Sequence, residues 1–485
     1  MRILYLDLDT LRLDHLGCYG YHRNTSPNID EVARRGVRFT NCYASDAPCL
    51  PSRSALFTGR FGIHTGVVNH GGLNADPRPQ GRSRGFRSDA SSAAWMSVLR
   101  RAGMRTVSIS PFAERHSAWW FYTGFSEMIN TGKSGLERAD EITPHALDWI
   151  ARRAREDNWF LQVNFWDPHT PYRTPDDYGN PFADDPPPNW LNDDMIQAHR
   201  AGYGPHSASE PCDYDEPPNW PWKRAPSSIR SFADFHKWID GYDVGIRYMD
   251  DHIGRILNAL ADQGVLDDTV VIVSSDHGEN QGELNVYGDH QTADHITSRV
   301  PLIVSWPGTR LGVVSDGLHY NLDLPPTMAE LLGQPAPEVW DGQSFAAELR
   351  DGAPAGRDYL VVSQCAWSCQ RAVRWGPWMM IRTYHDGLKD FPPHMLFNVD
   401  EDPHETTSLA TSNPELVGRM QMMLDEWTAQ MMSSSDDGID PLWNVIREGG
   451  PLHTRGKLDP YCARLRATGR SHHAEALLAR HSRHA

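Results

Sequence analysis

Six short apolar, β-prone segments recur along the chain: ILYLDLDT, GVRFTNCYA, AGMRTVSIS, NWFLQVNFW, DTVVIVSSD and RVPLIVSWPG. Helical patterns run between them. SPNIDEVARRG has a Ser N-cap and a closing Gly, and IRYMDDHIGRILNALADQG is longer. Strands alternating with helices predict an α/β fold, a large mostly parallel sheet covered on both faces. In such sheets working residues gather at the carboxyl ends of strands. Asp7 and Asp9, Asp167 and His169, and Asp276 and His277 all stand at such ends. Three strand ends rich in Asp and His outweigh any one alone.

This sheet pattern fills residues 1–355, with an irregular Pro-, Asp- and Trp-rich insertion at 176–228 that reads as a lid or substrate wall. Over 356–431 the pattern changes. YLVVSQ, RAVRWGPWMMIRTY and HMLFNVDED predict a small antiparallel sheet, and NPELVGRMQMMLDEW a helix on it. Residues 432–485, ending in SHHAEALLARHSRHA, read as a tail, a solvated or subunit-contacting helix that leaves room for a homo-oligomer.

Composition narrows the partners. The net charge of −17 argues against nucleic acid and anionic membranes, which need basic patches. A small anionic substrate stays open, because a bound metal inverts the field locally. No apolar run reaches membrane-spanning length. MRILYLDLD passes straight from Met into a strand pattern, which reads as a cytoplasmic chain, or a periplasmic one if a leader has been removed. The seven cysteines show no zinc-type pairing, and Cys365 and Cys369 in CAWSC read as structural thiols.

In SSDHGE an Asp-His pair ends a strand at a tight turn. With the carboxylates of LDLDT it suits a divalent cation with mainly oxygen ligands, Ca²⁺ first, with Mg²⁺ or Mn²⁺ as alternatives. The segment PCLPSRSALFTGR then poses the question of Cys49, which by itself reads as a buried thiol, a metal ligand, a nucleophile or a precursor of something else.

C-x-P-S-R followed by T-G-R resembles the maturation signature of type I sulfatases in the alkaline-phosphatase superfamily. The likeness extends through DTLRLDHLGCYGYHRNTSPNIDEVARRGVRF, GYDVGIRYMDDHIGRIL, DDTVVIVSSDHGE, NLDLPPTMAELLGQ, WDGQSF and LFNVDEDPHETTSLA. It implies an alkaline-phosphatase-like fold and a hydrolase of small-molecule or saccharide sulfate esters. It also implies a maturation enzyme that oxidises Cys49 to formylglycine (3-oxoalanine). The hydrate of that aldehyde has two hydroxyls, one to attack sulfur and one to expel sulfate. Asp9, Asp276, His277 and matured Cys49 match the family's metal site, and Arg53 matches the arginine that holds the nucleophile.

Two departures stand out. Many members carry consecutive aspartates where this chain has Asp9-Thr10, so Asp7, on the same strand face, either supplies the missing carboxylate or is a buried acid behind the site. The family's two lysines are also replaced. Glu114 stands where one lysine is common, two residues before His116, which matches the family's histidine after the third strand, and His290 takes the other place, with Asp294 and His295 nearby. Arg115, His169 and His290 are the implied substrate contacts, and His116, His169 and His290 the implied proton carriers. Histidine in place of lysine favours a singly charged ester. It keeps a phosphonate monoester or phosphodiester hydrolase as the nearest rival. A non-catalytic binder of sulfated glycans conflicts with the intact nucleophile motif, and a phosphomutase would need Ser or Thr at 49. Trp190, Trp220 and Trp222, with Trp119 and Trp120, read as packing residues first and a stacking wall second.

Overall fold

The computed structural model describes residues 1–78, 89–214 and 220–481. Parts of two predicted segments, 215–219 of the insertion and 482–485 of the tail, lie outside the described residues.

Strand Arg2–Leu8 forms the middle of the large sheet, parallel to Trp159–Phe165 on one side and to Thr269–Ser275 on the other. All seven residues of each flanking strand are buried. This is why these segments are apolar throughout: helices cover both faces of a parallel sheet. Arg105–Ile109 and Glu127–Ile129 extend the parallel set beyond Trp159–Phe165. On the other flank Arg299–Ser305 runs antiparallel to Thr269–Ser275 and to Val37–Tyr43, and Val313–Ser315 closes that edge.

The strand period of two divides the core. Leu4, Leu6 and Leu8 face helices Pro27–Arg34, Ala139–Arg153 and the 31-residue Phe232–Asp262. Ile3 and Tyr5 point the other way, toward the layer that contains Cys49, Leu50 and Leu56. Asp7 and Asp9 continue this second set, so both carboxylates reach the face on which helix Cys49–Thr58 lies. The site is placed by strand parity.

A second sheet orders Tyr359–Gln364, Cys369–Trp375, Trp378–His385 and His394–Asn398 antiparallel, under helix Pro414–Ser433. Its outer strand is the two-residue Asp46–Ala47, parallel to Tyr359–Gln364. That pairing pins the chain just before Cys49, and Ser363 N–H also donates to the Ser45 carbonyl at 2.9 Å.

The segment after residue 432 lies against the chain itself. Tyr461, Cys462, Leu465, Ala474 and Leu477 bury with Tyr203 and Leu388. Glu210 of the insertion, fully buried, accepts from Arg464 Nε at 3.1 Å and from Arg470, and Ser207 Oγ donates to it at 2.7 Å. Removing one partner from a buried ion pair strands the others. Glu210→Ala is therefore expected to lower stability by about 3 kcal/mol and to release the C-terminal segment to protease before the sheet unfolds. Denaturant melts with limited proteolysis check this, and unchanged values would show that Glu210 clamps nothing.

Candidate active site

Cys49 opens its helix, 1% exposed, and Arg53 follows one turn later on the same side. The Arg53 guanidinium is completely buried among three carboxylates. Nε and Nη2 donate to the two oxygens of Asp7 at 3.0 and 2.9 Å, and Nη1 donates to Asp9 at 3.0 Å and to Asp276 at 2.5 Å. Its Cζ lies 5.1 Å from the Phe112 ring centroid and 5.5 Å from that of Trp166. Burial alone would lower the Arg53 pKa, but Asp276, Asp7 and Asp9 raise it, so it stays charged.

Three carboxylates against one guanidinium leave a formal excess of two negative charges in a buried cage. Burial in low dielectric makes that excess costly. Burial first, and Asp276 second, push the Asp9 pKa well up. Asp9 Oδ1 is a buried acceptor with no hydrogen-bond partner. One ligand atom each from Asp9, Cys49, Asp276 and His277 lies within 4.8 Å of the others. A divalent cation there would balance the charge and satisfy Asp9, so the donor set fits one. Asp7 is outside this group. Both its oxygens are taken by Arg53, and Gln162 Nε2 donates to one of them at 2.8 Å. It is the anchor of Arg53 behind the cation site.

Histidines also stand around Cys49. His277 Nε2 lies 3.2 Å from Cys49 Sγ, and its Nδ1–H donates to the Gly278 carbonyl at 2.8 Å, which leaves Nε2 with a free lone pair. His169 is fixed the same way, through the Thr170 carbonyl at 2.5 Å. Ligand atoms of Cys49, His169 and His290 again fall within 4.8 Å of one another. The His277 and His290 ring centroids are 4.1 Å apart, and those of His169 and His290 are 5.8 Å apart. Burial, reinforced by Arg115 at His169 and His116 and by His277 at His290, pushes all three pKa values well down, so these rings are neutral at pH 7. Asp289 lies 3.4 Å from His290 Nε2 and 2.9 Å from His206 Nε2; His206 and the His290 backbone N–H, which donates to it at 2.7 Å, hold its carboxyl well below the usual range against its burial.

These groups open into a cavity of about 680 Å³ whose walls include Cys49, Arg115, His116, His169 and His290. Arg115 is braced by the Ser134 carbonyl at 3.2 Å, 4.9 Å above the Trp166 ring. Asp294 and His295 are not part of this cavity. Asp294 caps a short helix through Thr297 N–H, and His295 bonds Tyr43 Oη and Glu405. Trp220 and Trp222 of the insertion line the cavity, whereas Trp190 stacks on His404 at 4.3 Å and Trp119 is exposed.

Sequence reasoning missed His70, His206, Trp238, Trp367 and His453, which complete the walls. His70 was the readable one, since NHGG follows the T-G-R segment closely. His453, in PLHTRG, carries no spacing relation to any strand end.

Comparison with known proteins agrees with this geometry. The chain is 24% identical to the choline-sulfatase of Rhizobium meliloti (strain 1021) over 444 residues, which is 80% of this chain and 78% of that one. A solved complex with D-glucosamine-2-N,6-O-disulfate as its substrate superposes with a TM-score of 0.70 at 20% identity, covering 90% of this chain and 99% of the other. The phosphonate monoester hydrolase of Agrobacterium radiobacter gives 0.68 at 20% identity, over 89% and 96%. The sulfatase family profile matches residues 2–334. With its cysteine, arginine and carboxylates assembled at the strand ends, this chain belongs to the sulfatase family, the hydrolases of sulfate esters.

Proposed function

We propose that the chain hydrolyses the monosulfate ester of a saccharide or other small alcohol, after conversion of Cys49 to formylglycine. The observation that carries this reading is the convergence on Cys49: Asp9, Asp276 and His277 in one group, His169 and His290 in another. The hydrated aldehyde would supply one hydroxyl to attack sulfur and a second whose deprotonation releases sulfate. The cation, a hard divalent ion by its two carboxylates, with Ca²⁺ the first choice and Mg²⁺ or Mn²⁺ the alternatives, would be held by Asp9, Asp276 and His277 with residue 49, and would supply positive charge to the sulfate oxygens.

The chain's own residues do the rest. Arg53, clamped by Asp7, holds Asp9 and Asp276 in register on one nitrogen, Nη1. His277 Nε2, 3.2 Å from the reacting side chain, is placed to hold the cation against it, and Asp9 or Asp276 takes its proton. Arg115 and the Nε2 atom of His169 face the sulfate. His290, beside Asp289, is the ring on this side with a carboxylate to stabilise its protonated form, and so it carries the proton for the leaving oxygen. His116, with Nε2 buried and unpartnered, serves the second hydroxyl.

A second reading, hydrolysis of phosphonate monoesters at the same site, is favoured by one observation. Glu114 and His290 stand where lysines are common, so fixed positive charge is low, and a phosphonate monoester carries the same single charge as a sulfate ester. Relative rates on 4-nitrophenyl sulfate and 4-nitrophenyl phenylphosphonate decide between the two.

Three results are expected. Peptide mass spectrometry after expression with a maturation enzyme finds residue 49 lighter than cysteine. An unmodified thiol with full activity would end the formylglycine reading. Arg53→Lys, which keeps a charge but loses the planar fork, lowers kcat/KM for 4-nitrophenyl sulfate at least about 100-fold. Near wild-type turnover would remove Arg53 from its role. His290→Ala slows esters of poor leaving groups by about 100-fold while sparing 4-nitrophenyl sulfate. Equal losses on both would refute the acid role.

A further inference from the structure

Part of the cavity wall comes from residues beyond the family match at 2–334, namely Trp367, Leu452 and His453. His453 sits in a single turn, Leu452–Thr454, of the C-terminal segment. Several contacts fix it there. Its ring stacks on Trp367, with centroids 4.4 Å apart and planes 18° from parallel. Its N–H donates to the Ala366 carbonyl at 3.3 Å, and its carbonyl accepts from Tyr214 Oη at 3.0 Å. Its Nε2 lies 3.0 Å from Nδ1 of His70. The Asn69 side-chain oxygen ties the two strands of chain together, accepting from His70 N–H at 2.8 Å and from Leu452 N–H at 3.3 Å.

His70 has a second nitrogen, Nε2, buried and without a partner, and its ring lies 4.9 Å from that of His116. Two neutral imidazoles joined by one hydrogen bond share a single proton, so His453 decides whether His70 Nε2 is a donor or an acceptor. Burial lowers the His453 pKa to about 4, so the pair carries no charge at neutral pH. Among the described wall residues Arg115 is the only arginine or lysine, and Asp213 and Asp289 are the carboxylates.

We propose that His453 is a positioning residue that orients His70, whose Nε2 contacts the alcohol side of the ester in a subsite for an uncharged leaving group. This rests on the sulfate-ester reading above. The C-terminal segment thereby takes part in substrate selection.

The test uses the full-length converted enzyme on 4-nitrophenyl sulfate and N-acetylglucosamine 6-sulfate, whichever turns over faster. His453→Phe keeps the stack on Trp367 and removes the nitrogen. It is expected to raise KM about five- to tenfold, the scale of one hydrogen bond, with kcat within about twofold. His453→Gln, which restores a polar partner for His70, is expected to recover most of the loss. His70→Ala should match His453→Phe, and the double variant should be no worse than either single one. Adding a second sulfate to the sugar should lower kcat/KM.

Unchanged KM in His453→Phe, multiplicative losses in the double variant, or preference for the disulfated sugar would overturn the proposal. If His453→Phe lowers the melting temperature sharply, His70→Ala, with the C-terminal segment intact, decides by the same KM criterion. A wild type that turns over no sulfate ester would overturn the underlying reading, and the proposal with it. A wild type that turns over normally and ignores His453→Phe would overturn this proposal alone.

Discussion

The burial of Arg53 among Asp7, Asp9 and Asp276 is the interaction on which the rest of the site depends. A guanidinium and three carboxylates without water are costly unless every donor and acceptor is paired. Here the pairing is nearly complete: only Asp9 Oδ1 is left over. The partners come from two strand ends, Asp7 and Asp9 from one and Asp276 from the other, and from the nucleophile helix, so the cage requires Arg2–Leu8 and Thr269–Ser275 paired and Cys49–Thr58 docked. The cage thus links the reactive residue to the middle of the fold. It also places the unsatisfied charge beside residue 49, where a cation is needed.

Much of this was legible because strand parity and charge leave readable marks. Apolar runs ending in Asp and His announced the parallel sheet, and the i, i+4 spacing of Cys49 and Arg53 put both on one helix face. Asp7 shows the limit. Parity gave its face correctly but not its partner, and whether it bonds a cation or Arg53 depends on which group occupies the gap between Asp7 and Asp9. In the structure Arg53 takes both Asp7 oxygens, leaving Asp9 Oδ1 as the unpartnered acceptor among the residues that could hold a cation.

The distal wall was not legible. Trp367 lies on the turn between two strands of the second sheet, and His453 on a single turn between short helices. Their positions follow from long-range contacts, such as Glu210 with Arg464 and Arg470 or Asn69 with Leu452. Such contacts leave no periodicity. The final segment reads as a solvated tail because its apolar residues are few and spaced for a narrow stripe. That stripe is enough to bury against Tyr203 and Leu388, since the insertion supplies the complementary surface.

Chemistry and selection consequently divide along the chain. The groups that would handle sulfur and the cation lie within residues 2–334, on the rigid ends of parallel strands. The wall that meets the alcohol sets His70 among groups from the insertion, the second sheet and the C-terminal segment. Glu210 joins the insertion to the C-terminal segment through Arg464 and Arg470, so this wall is held by contacts other than those of the Arg53 cage. Neutral histidines extend the same logic into the cavity. A lysine holds charge whether or not an ester is bound, whereas a buried imidazole gains a proton most readily when an anion is present to stabilise it. With His116, His169 and His290 neutral around residue 49 and Arg115 the only arginine or lysine among the described wall residues, the pocket offers little standing positive charge to a second anionic group on the alcohol.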